Sequence, residues 1–321
     1  MKRERVLILL LALVLIMGLS ACTSETTNDG ITGAIHRVEF GDNVAYLFGT
    51  FHAGRDDWFP LADVVEDALR SADVVAMEIE EIGMGARVFR QAGTSVSHLP
   101  NGLTWSDYLP EDAYRHLVAT LDSWDVSYEN ANTMNPIYLI VSLENHFTFS
   151  LSDIDASFDA TVDAYIARKA SDLELQIIGL ESVEQQIEIA YNPPIDVAVA
   201  KIMSFLPPEE FIEAQFKRLT LDDLAGFYGA NDFESIITNF ARELSVDDDC
   251  LYAIYTKEHI LSWRSTYYAH EIIRLLQETE EPTTFFVAVG IGHIISSGAG
   301  DEFTDIVQQL EVAGLEVMPL W

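Results

Sequence analysis

Basic side chains are scarce: 18 Lys and Arg stand against 52 Asp and Glu in 321 residues, for a formal net charge of −34. A surface this acidic repels phosphate backbones and anionic headgroups, which excludes a nucleic-acid-binding role. Solubility in a saline or cation-rich exterior accounts for the imbalance, and attraction of cations or cationic substrates is the sharper alternative. Cysteine is nearly absent, with Cys22 and Cys250 the two in the chain. If Cys22 belongs to a leader junction, Cys250 has no intramolecular disulfide partner and stability must come from a core. Cys250 also follows "VDDD", an acidic setting that disfavours a thiolate nucleophile. Repeats of solenoid period and long low-complexity tracts are missing. So is a Gly-x-Ser-x-Gly elbow; "HEIIR" at His270 lacks the second histidine of a zincin helix, and "VGIGHI" lacks the third glycine of a dinucleotide loop.

The apolar run from Val6 to Met17 is too short for a comfortable membrane span, but it follows Lys2, Arg3 and Arg5 and ends in "LSAC". This resembles a bacterial lipobox, in which the cysteine after a small residue is lipidated and becomes the new N-terminus. Residues 1–21 therefore read as a lipoprotein signal peptide and residues 22–33 as a polar tether. Residues 34–321 read as a single domain, exported and lipid-anchored to the cell envelope through Cys22. A chain of this size buries roughly three quarters of its extended surface, enough for one large core.

Short continuous apolar runs fall at Val44 to Phe48, Val74 to Glu78, Leu175 to Leu180, Thr284 to Val289 and the terminal "LEVMPL". Runs of this kind suit strands buried on both faces, as in a largely parallel α/β sheet. Between them the pattern turns helical in "PIYLIVSLENHF", "DASFDATVDAYIARKA", "PPEEFIEAQFKRL" and the long stretch Asp248 to Glu280. The expected fold class is α/β, a mostly parallel or mixed central sheet with large helical insertions.

Four of the runs end in a residue that binds metals or moves protons. "YLFGTFH" delivers His52 three residues after Gly49, and "FFVAVGIGH" delivers His293 three residues after Gly290. "VVAME" ends in Glu78, and Glu181 follows the third run in "GLES". In an open α/β sheet ligands bind outside the carboxyl ends of the strands, so parallel strands gather these four side chains along one edge. Two imidazoles with one or two carboxylates form a first shell for a catalytic divalent ion of the Mn, Co or Zn type. Such an ion acidifies its bound water, and a second carboxylate then takes the proton. The spacing predicts that His52 and His293 share the ion, with Glu78 or Glu181 completing the shell. Glu78 is the preferred ligand and Glu181 the preferred base or orienting group. Singly, each residue has an ordinary reading as a structural histidine or a helix-start acid. His36, His98, His116, His146 and His259 have no spacing that suggests a site.

At these residues the chain resembles the TraB/GumN (PrgY, TIKI) family. "YLFGTFHAG", "ADVVAMEIEE", "SFDATVDAYIARKASDLELQIIGLESVEQQIEI" and "RSTYYAHEIIRLLQETEEPTTFFVAVGIGHI" are similar to family segments and stand in family order from Ala34 to Trp321. The resemblance implies an α/β fold related to erythromycin esterase and ChaN-like haem-binding proteins. It also implies a metal-dependent, protease-like activity requiring both Gly-x-x-His motifs, and it nominates His52, Glu78, Glu181 and His293. Arg55 looks like a basic residue that the esterase relatives place after the first histidine, where it would bind an anionic substrate group. The chain departs from the family at Arg264-Ser265, usually Arg-Asn, and at "HIISSG" after the last histidine. The expected function is a metal-dependent, peptidase-like hydrolase acting on a peptide or small molecule. The alternative is a lipid-anchored protein that binds or sequesters a peptide, haem or metal without cleaving it.

Overall fold

Of the 321 residues, the computed structural model describes 30–80, 99, 102–123, 132–136, 139–140, 143, 161–191, 193–204, 221–238, 251–295 and 304–321. The signal peptide, Cys22, most of the tether, Cys250, all of "PPEEFIEAQFKRL" and most of "PIYLIVSLENHF" lie outside the described residues.

The first structured unit is a hairpin. β1 (His36–Phe40) pairs antiparallel with β2 (Asn43–Thr50), and Phe40 stands opposite Asn43 across the Gly41-Asp42 turn. Gly41 takes φ +61°, a left-handed angle that glycine reaches at little cost, as the first position of a tight hairpin turn demands. β1 was not among the expected strands: "HRVEF" leaves Glu39 and Phe40 exposed and has no continuous apolar run. β3 (Val74–Met77), β4 (Gln176–Gly179) and β5 (Thr284–Gly290) join β2 in a parallel block, and β6 (Val317–Pro319) closes the far edge against β1. The six strands run in the order β4-β3-β5-β2-β1-β6. The sheet is mixed, and its parallel strands are the four that end in the chemistry-bearing residues.

Helices cover the sheet. α1 (Asp63–Arg70) follows β2 and buries Val65, Ala68 and Leu69. α2 (Glu111–Ser123) belongs to the insertion after β3. α3 (Val162–Asp172) is capped by Thr161, whose hydroxyl accepts from the Ala164 amide, and it buries Val162, Tyr165, Ile166 and Ala170. After β4 come α4 (Val183–Gln186), α5 (Ile195–Ser204) and α6 (Leu221–Gly229). α7 (Leu251–Tyr255) runs through a π-helical stretch, Thr256–Trp263, into α8 (Arg264–Glu278), so the long helix expected there is present with a change of winding inside it. α9 (Ile306–Val312) starts at its Asp305 cap and leads to β6. Val75, Ala76, Phe285 to Val289, Leu47 and Phe48 form a core with Ile166, Tyr268 and Ile272. A second cluster, Trp105, Leu117, Leu121, Leu139, Leu143, Ala198 and Ile202, lies among the inserted helices.

Candidate active site

β3, β5 and β2 are consecutive in the sheet, and Thr50 stands beside Gly290 in register. Their carboxyl ends therefore bring Glu78, His293 and His52 to neighbouring positions. β4 adds Glu181 on the outer side, where Leu180 and Glu181 amides continue the ladder to the carbonyls of Met77 and Glu78. Gly290 forms the floor. A Cβ there would stand 3.3 Å from Glu78 Oε1, 3.6 Å from His52 Nε2 and 3.8 Å from His293 Cδ2. The missing side chain leaves a cradle at the point where a carboxylate and two imidazoles meet. Gly49 answers a different need: a Cβ there would lie 2.8 Å from the Gly33 carbonyl oxygen, whose partner is the Gly49 amide.

Each imidazole is held by its other nitrogen. His52 Nδ1 lies 2.9 Å from Asp163 Oδ2, and Asp163 Oδ1 accepts from Thr50 Oγ1 at 2.7 Å. His293 Nδ1 lies 2.9 Å from Ser265 Oγ, and its Nε2 faces Glu78 Oε1 at 4.0 Å. The Tyr268 ring stands edge-on to His293. Glu78 Oε1 accepts from the Gly290 amide at 2.8 Å; Glu78 Oε2 accepts from Arg264 Nη2 at 2.8 Å and Gln186 Nε2 at 3.1 Å. Glu181 is wholly buried, and its Oε1 accepts from Arg264 Nη2 at 2.5 Å and Tyr268 OH at 2.6 Å.

The two histidines titrate apart. The Asp163 carboxylate, in contact with an imidazole whose side chain is 68% exposed, raises His52 to about 9. Burial, reinforced by the Arg264 cation, lowers His293 to about 3. Burial alone would raise Glu78, but Arg264, His293, His52 and the Gly290 amide hold its carboxyl well below the usual carboxylate range. Burial works against the Arg264 charge, yet Glu78, Tyr268 and Glu181 raise it above its ordinary value. Burial also pushes the Tyr268 phenol well up, which keeps it a neutral donor.

Among the expected site residues, the fold brings His52, Glu78 and His293 around Gly290. It places Glu181 behind them, holding Arg264. Arg55 stands 54% exposed at the side, with Nε and Nη2 donating to the two carboxylate oxygens of Asp57. It lines an open pocket of about 430 Å³ with Gly30, Trp58 and Gly229. Sequence reasoning missed Asp163 and the Arg264 guanidinium that bridges the glutamates. Arg264 opens α8 at the end of the π-helical stretch, whose wider turns shift the phase in which side chains face inward. Tyr255, the last residue of α7 and the one that leads into this stretch, is tied to a second π-helical stretch, Ile187–Tyr191, which follows Gln186: its OH donates to the Ile189 carbonyl.

Among the described residues, no group of three or more His, Cys, Asp or Glu side chains closes tightly enough to hold a metal ion as it stands. In donor chemistry the cradle nevertheless suits a divalent cation. It offers His52 Nε2, His293 Nε2 and Glu78 Oε1 over a residue without a side chain, with both imidazoles tied at Nδ1 as metal-ligating histidines are.

Fold and site define an α/β protein with a histidine–carboxylate cluster at the carboxyl edge of a mixed sheet. The sequence profile of the TraB/PrgY/gumN family matches residues 34–318, and the chain belongs to that family. It is 24% identical to the zebrafish (Danio rerio) protein named "Metalloprotease TIKI2" over 79% of this chain and 55% of that protein. It is 21% identical to zebrafish "Metalloprotease TIKI1" over 93% of this chain and 65% of that one. With human "Metalloprotease TIKI1" the identity is 22%, over 80% and 57%. The chain thus spans less than two thirds of the length of these relatives. No solved structure matches it.

Proposed function

We propose that the chain is a metal-dependent hydrolase with peptidase-like chemistry, its site the cradle over Gly290. One observation carries this reading: Glu78 Oε1, His52 Nε2 and the His293 ring edge beside Nε2 converge within 3.8 Å of the same side-chain-free point. The relatives named metalloproteases support it at the level of class. His52, His293 and Glu78 would hold a divalent ion of the Mn, Co or Zn type, and the ion, when bound, supplies Lewis acidity toward a carbonyl.

The chain's own residues have distinct tasks around it. Arg264 keeps Glu78 ionised, so the carboxylate is available at any ordinary pH. Glu181 and Tyr268 fix the guanidinium in place. Asp163 and Ser265 orient the two imidazoles. His52, 68% exposed, stands on the open side of the cradle, and its Nε2 must be free of a proton to serve as a ligand. In this arrangement Glu181 acts by positioning Arg264, and Arg55 by meeting an anionic substrate group at the open pocket it lines with Trp58 and Gly229.

The test begins with protein purified without chelator or affinity-tag metal. Metal content by mass spectrometry, followed by a peptide-library digest, should give about one ion per chain and metal-dependent cleavage, and both should vanish in His52→Ala and His293→Ala. A metal-free wild type that takes up no added Mn²⁺, Co²⁺ or Zn²⁺ sinks the reading.

A second reading, binding or sequestration without catalysis, is favoured by the fact that the buried polar atoms of the cluster all have partners without any ion. The buried orphans among the described residues are His36 Nδ1, Thr256 Oγ1 and Gln308 Oε1, none of them in the cradle. Metal or peptide uptake with no cleavage of any library member would select it. We also propose export and a lipid anchor at Cys22, on the strength of "LSAC" behind a basic, apolar leader. Among the described residues no helix is long and apolar enough to cross a membrane. Mass spectrometry of the N-terminal peptide decides the point, and an unmodified Cys22 rules the anchor out.

A further inference from the structure

We propose that Asp163 is the positioning residue of the His52 corner, fixing the ring so that Nδ1 keeps its proton in every state and Nε2, facing the cradle, is the nitrogen left bare when the ring is neutral. The proposal rests on the reading of that cradle as a cation site, but its first readout does not.

The loop after β2 is fastened to the first turn of α3 at three consecutive residues. Thr50 Oγ1 donates to Asp163 Oδ1 at 2.7 Å, the Phe51 carbonyl accepts from the Val162 amide at 3.2 Å, and His52 Nδ1 meets Asp163 Oδ2 at 2.9 Å. Phe51 is further pinned by stacking on Tyr228, whose hydroxyl donates to the Gly49 carbonyl. Three successive ties to one helical turn leave the His52 backbone little freedom, although its side chain is exposed.

The partner's chemistry then decides the ring. An ionised carboxylate only accepts, so the imidazole nitrogen facing Asp163 must be the donor. Asp163 sits in the first turn of α3, where the helix dipole favours a negative charge. The other corner lacks this constraint, because the Ser265 hydroxyl beside His293 can donate or accept. Asp163 is thus the group that dictates a tautomer in the cluster, and it dictates the one a metal ligand requires. A buried carboxylate held by Thr50 and aimed at an exposed histidine serves no packing purpose there.

Two variants test this. In Asp163→Asn the amide oxygen keeps the Thr50 hydrogen bond and the amide nitrogen, a donor, faces His52 Nδ1. In Asp163→Ala the imidazole is unconstrained, and a free neutral imidazole prefers its proton on Nε2. Long-range proton–nitrogen NMR of His52 in metal-free protein, above the imidazole's titration, should show Nδ1–H in the wild type and Nε2–H in both variants. Calorimetric titration with Zn²⁺ alone should show affinity lower by about 10–100-fold in both, the usual cost of losing a group that orients a ligand. Circular dichroism confirms that both variants fold, and the isosteric Asn variant serves if Ala does not. Persistence of Nδ1–H in the variants, or unchanged Zn²⁺ affinity beside a wild type that binds, overturns the proposal. If the wild type takes no Zn²⁺, the cation-site reading falls while the tautomer result still decides the role of Asp163.

Discussion

His52 and His293 occupy equivalent places in two neighbouring parallel strands, each three residues after a glycine, yet one side chain is 68% exposed and the other 5%. The difference comes from what each strand runs into. β5 ends in a tight turn, Ile291–His293, that tucks its histidine under Tyr268 and Ser265 of α8. β2 runs out to a loop fastened on α3, where a carboxylate waits. One motif therefore yields a histidine that holds its proton at neutral pH and another that refuses it, and environments that separate two titratable groups are how acid and base roles become distinct. The motif sets position; charge and burial set chemistry.

The largest expected effect comes from removing the cation between the corners. Arg264→Met leaves Glu78 and Glu181 buried together without the cation between them, at a cost on the order of 3–5 kcal/mol. Urea unfolding measures it, and adding Glu181→Gln should restore part of the loss. A stability equal to wild type would mean that the bridge is not the cluster's main support.

The glycine of the first corner comes next. Gly49→Ala drives a Cβ to 2.8 Å from the Gly33 carbonyl oxygen and 3.2 Å from Ile291 Cα, both backbone atoms that cannot swing aside. Overpacking of this kind costs roughly 1–3 kcal/mol. The midpoint of thermal unfolding should drop, with metal uptake intact in the fraction that remains folded.

Stability against pH should have two limbs, one for each histidine. An unfolded chain protonates His293 near 6.5, whereas the folded chain resists until about 3. The unfolded state therefore binds the extra proton within that window, and stability falls as pH falls across it. Buried His36, lowered to about 4 by desolvation, acts in the same direction. For His52 the order reverses: the folded protein keeps its proton up to about 9, so the contribution is complete below 6.5 and is lost as pH climbs through 9. Solvent screening makes this alkaline limb the shallower one, since the ring is largely exposed. His293→Asn should flatten the acid limb alone and His52→Gln the alkaline limb alone, read from melting temperature against pH.

Much of this comparison was legible in the residues. Apolar runs that stop at a glycine marked the ends of β2 and β5, and four runs ending in His or Glu marked the sheet edge. Periodicity did not disclose the supporting groups. Asp163 stands where helices commonly carry an acid, so its turn toward His52 follows from the docking of α3, which is tertiary. Arg264 lies just past a π-helical stretch, where ordinary 3.6-residue counting loses phase. Glu181 was singled out as a strand-end carboxylate, but only the fold reveals that Arg264 and Tyr268 already claim it. β1 escaped because a short strand with an exposed end carries no buried run.

The smallest expected effect on stability belongs to the glycine of the second corner. Gly290 has φ −51° and ψ 135°, a backbone that alanine adopts freely, and the three nearest atoms its Cβ would meet all belong to side chains. Glu78 Oε1 at 3.3 Å is the tightest contact, and a side-chain oxygen can give by a few tenths of an ångström. Gly290→Ala should therefore change the unfolding free energy by no more than about 1 kcal/mol, because substitutions without a cavity, an orphaned polar group or strain stay small. Its effect on the site should be large, because the added methyl fills the space that Glu78, His52 and His293 share. Zn²⁺ titration of Gly290→Ala beside Gly49→Ala separates the two roles: loss of uptake with stability kept in the first, loss of stability with uptake kept in the second. Equal Zn²⁺ uptake by Gly290→Ala and wild type would show that the cradle is not where the ion sits.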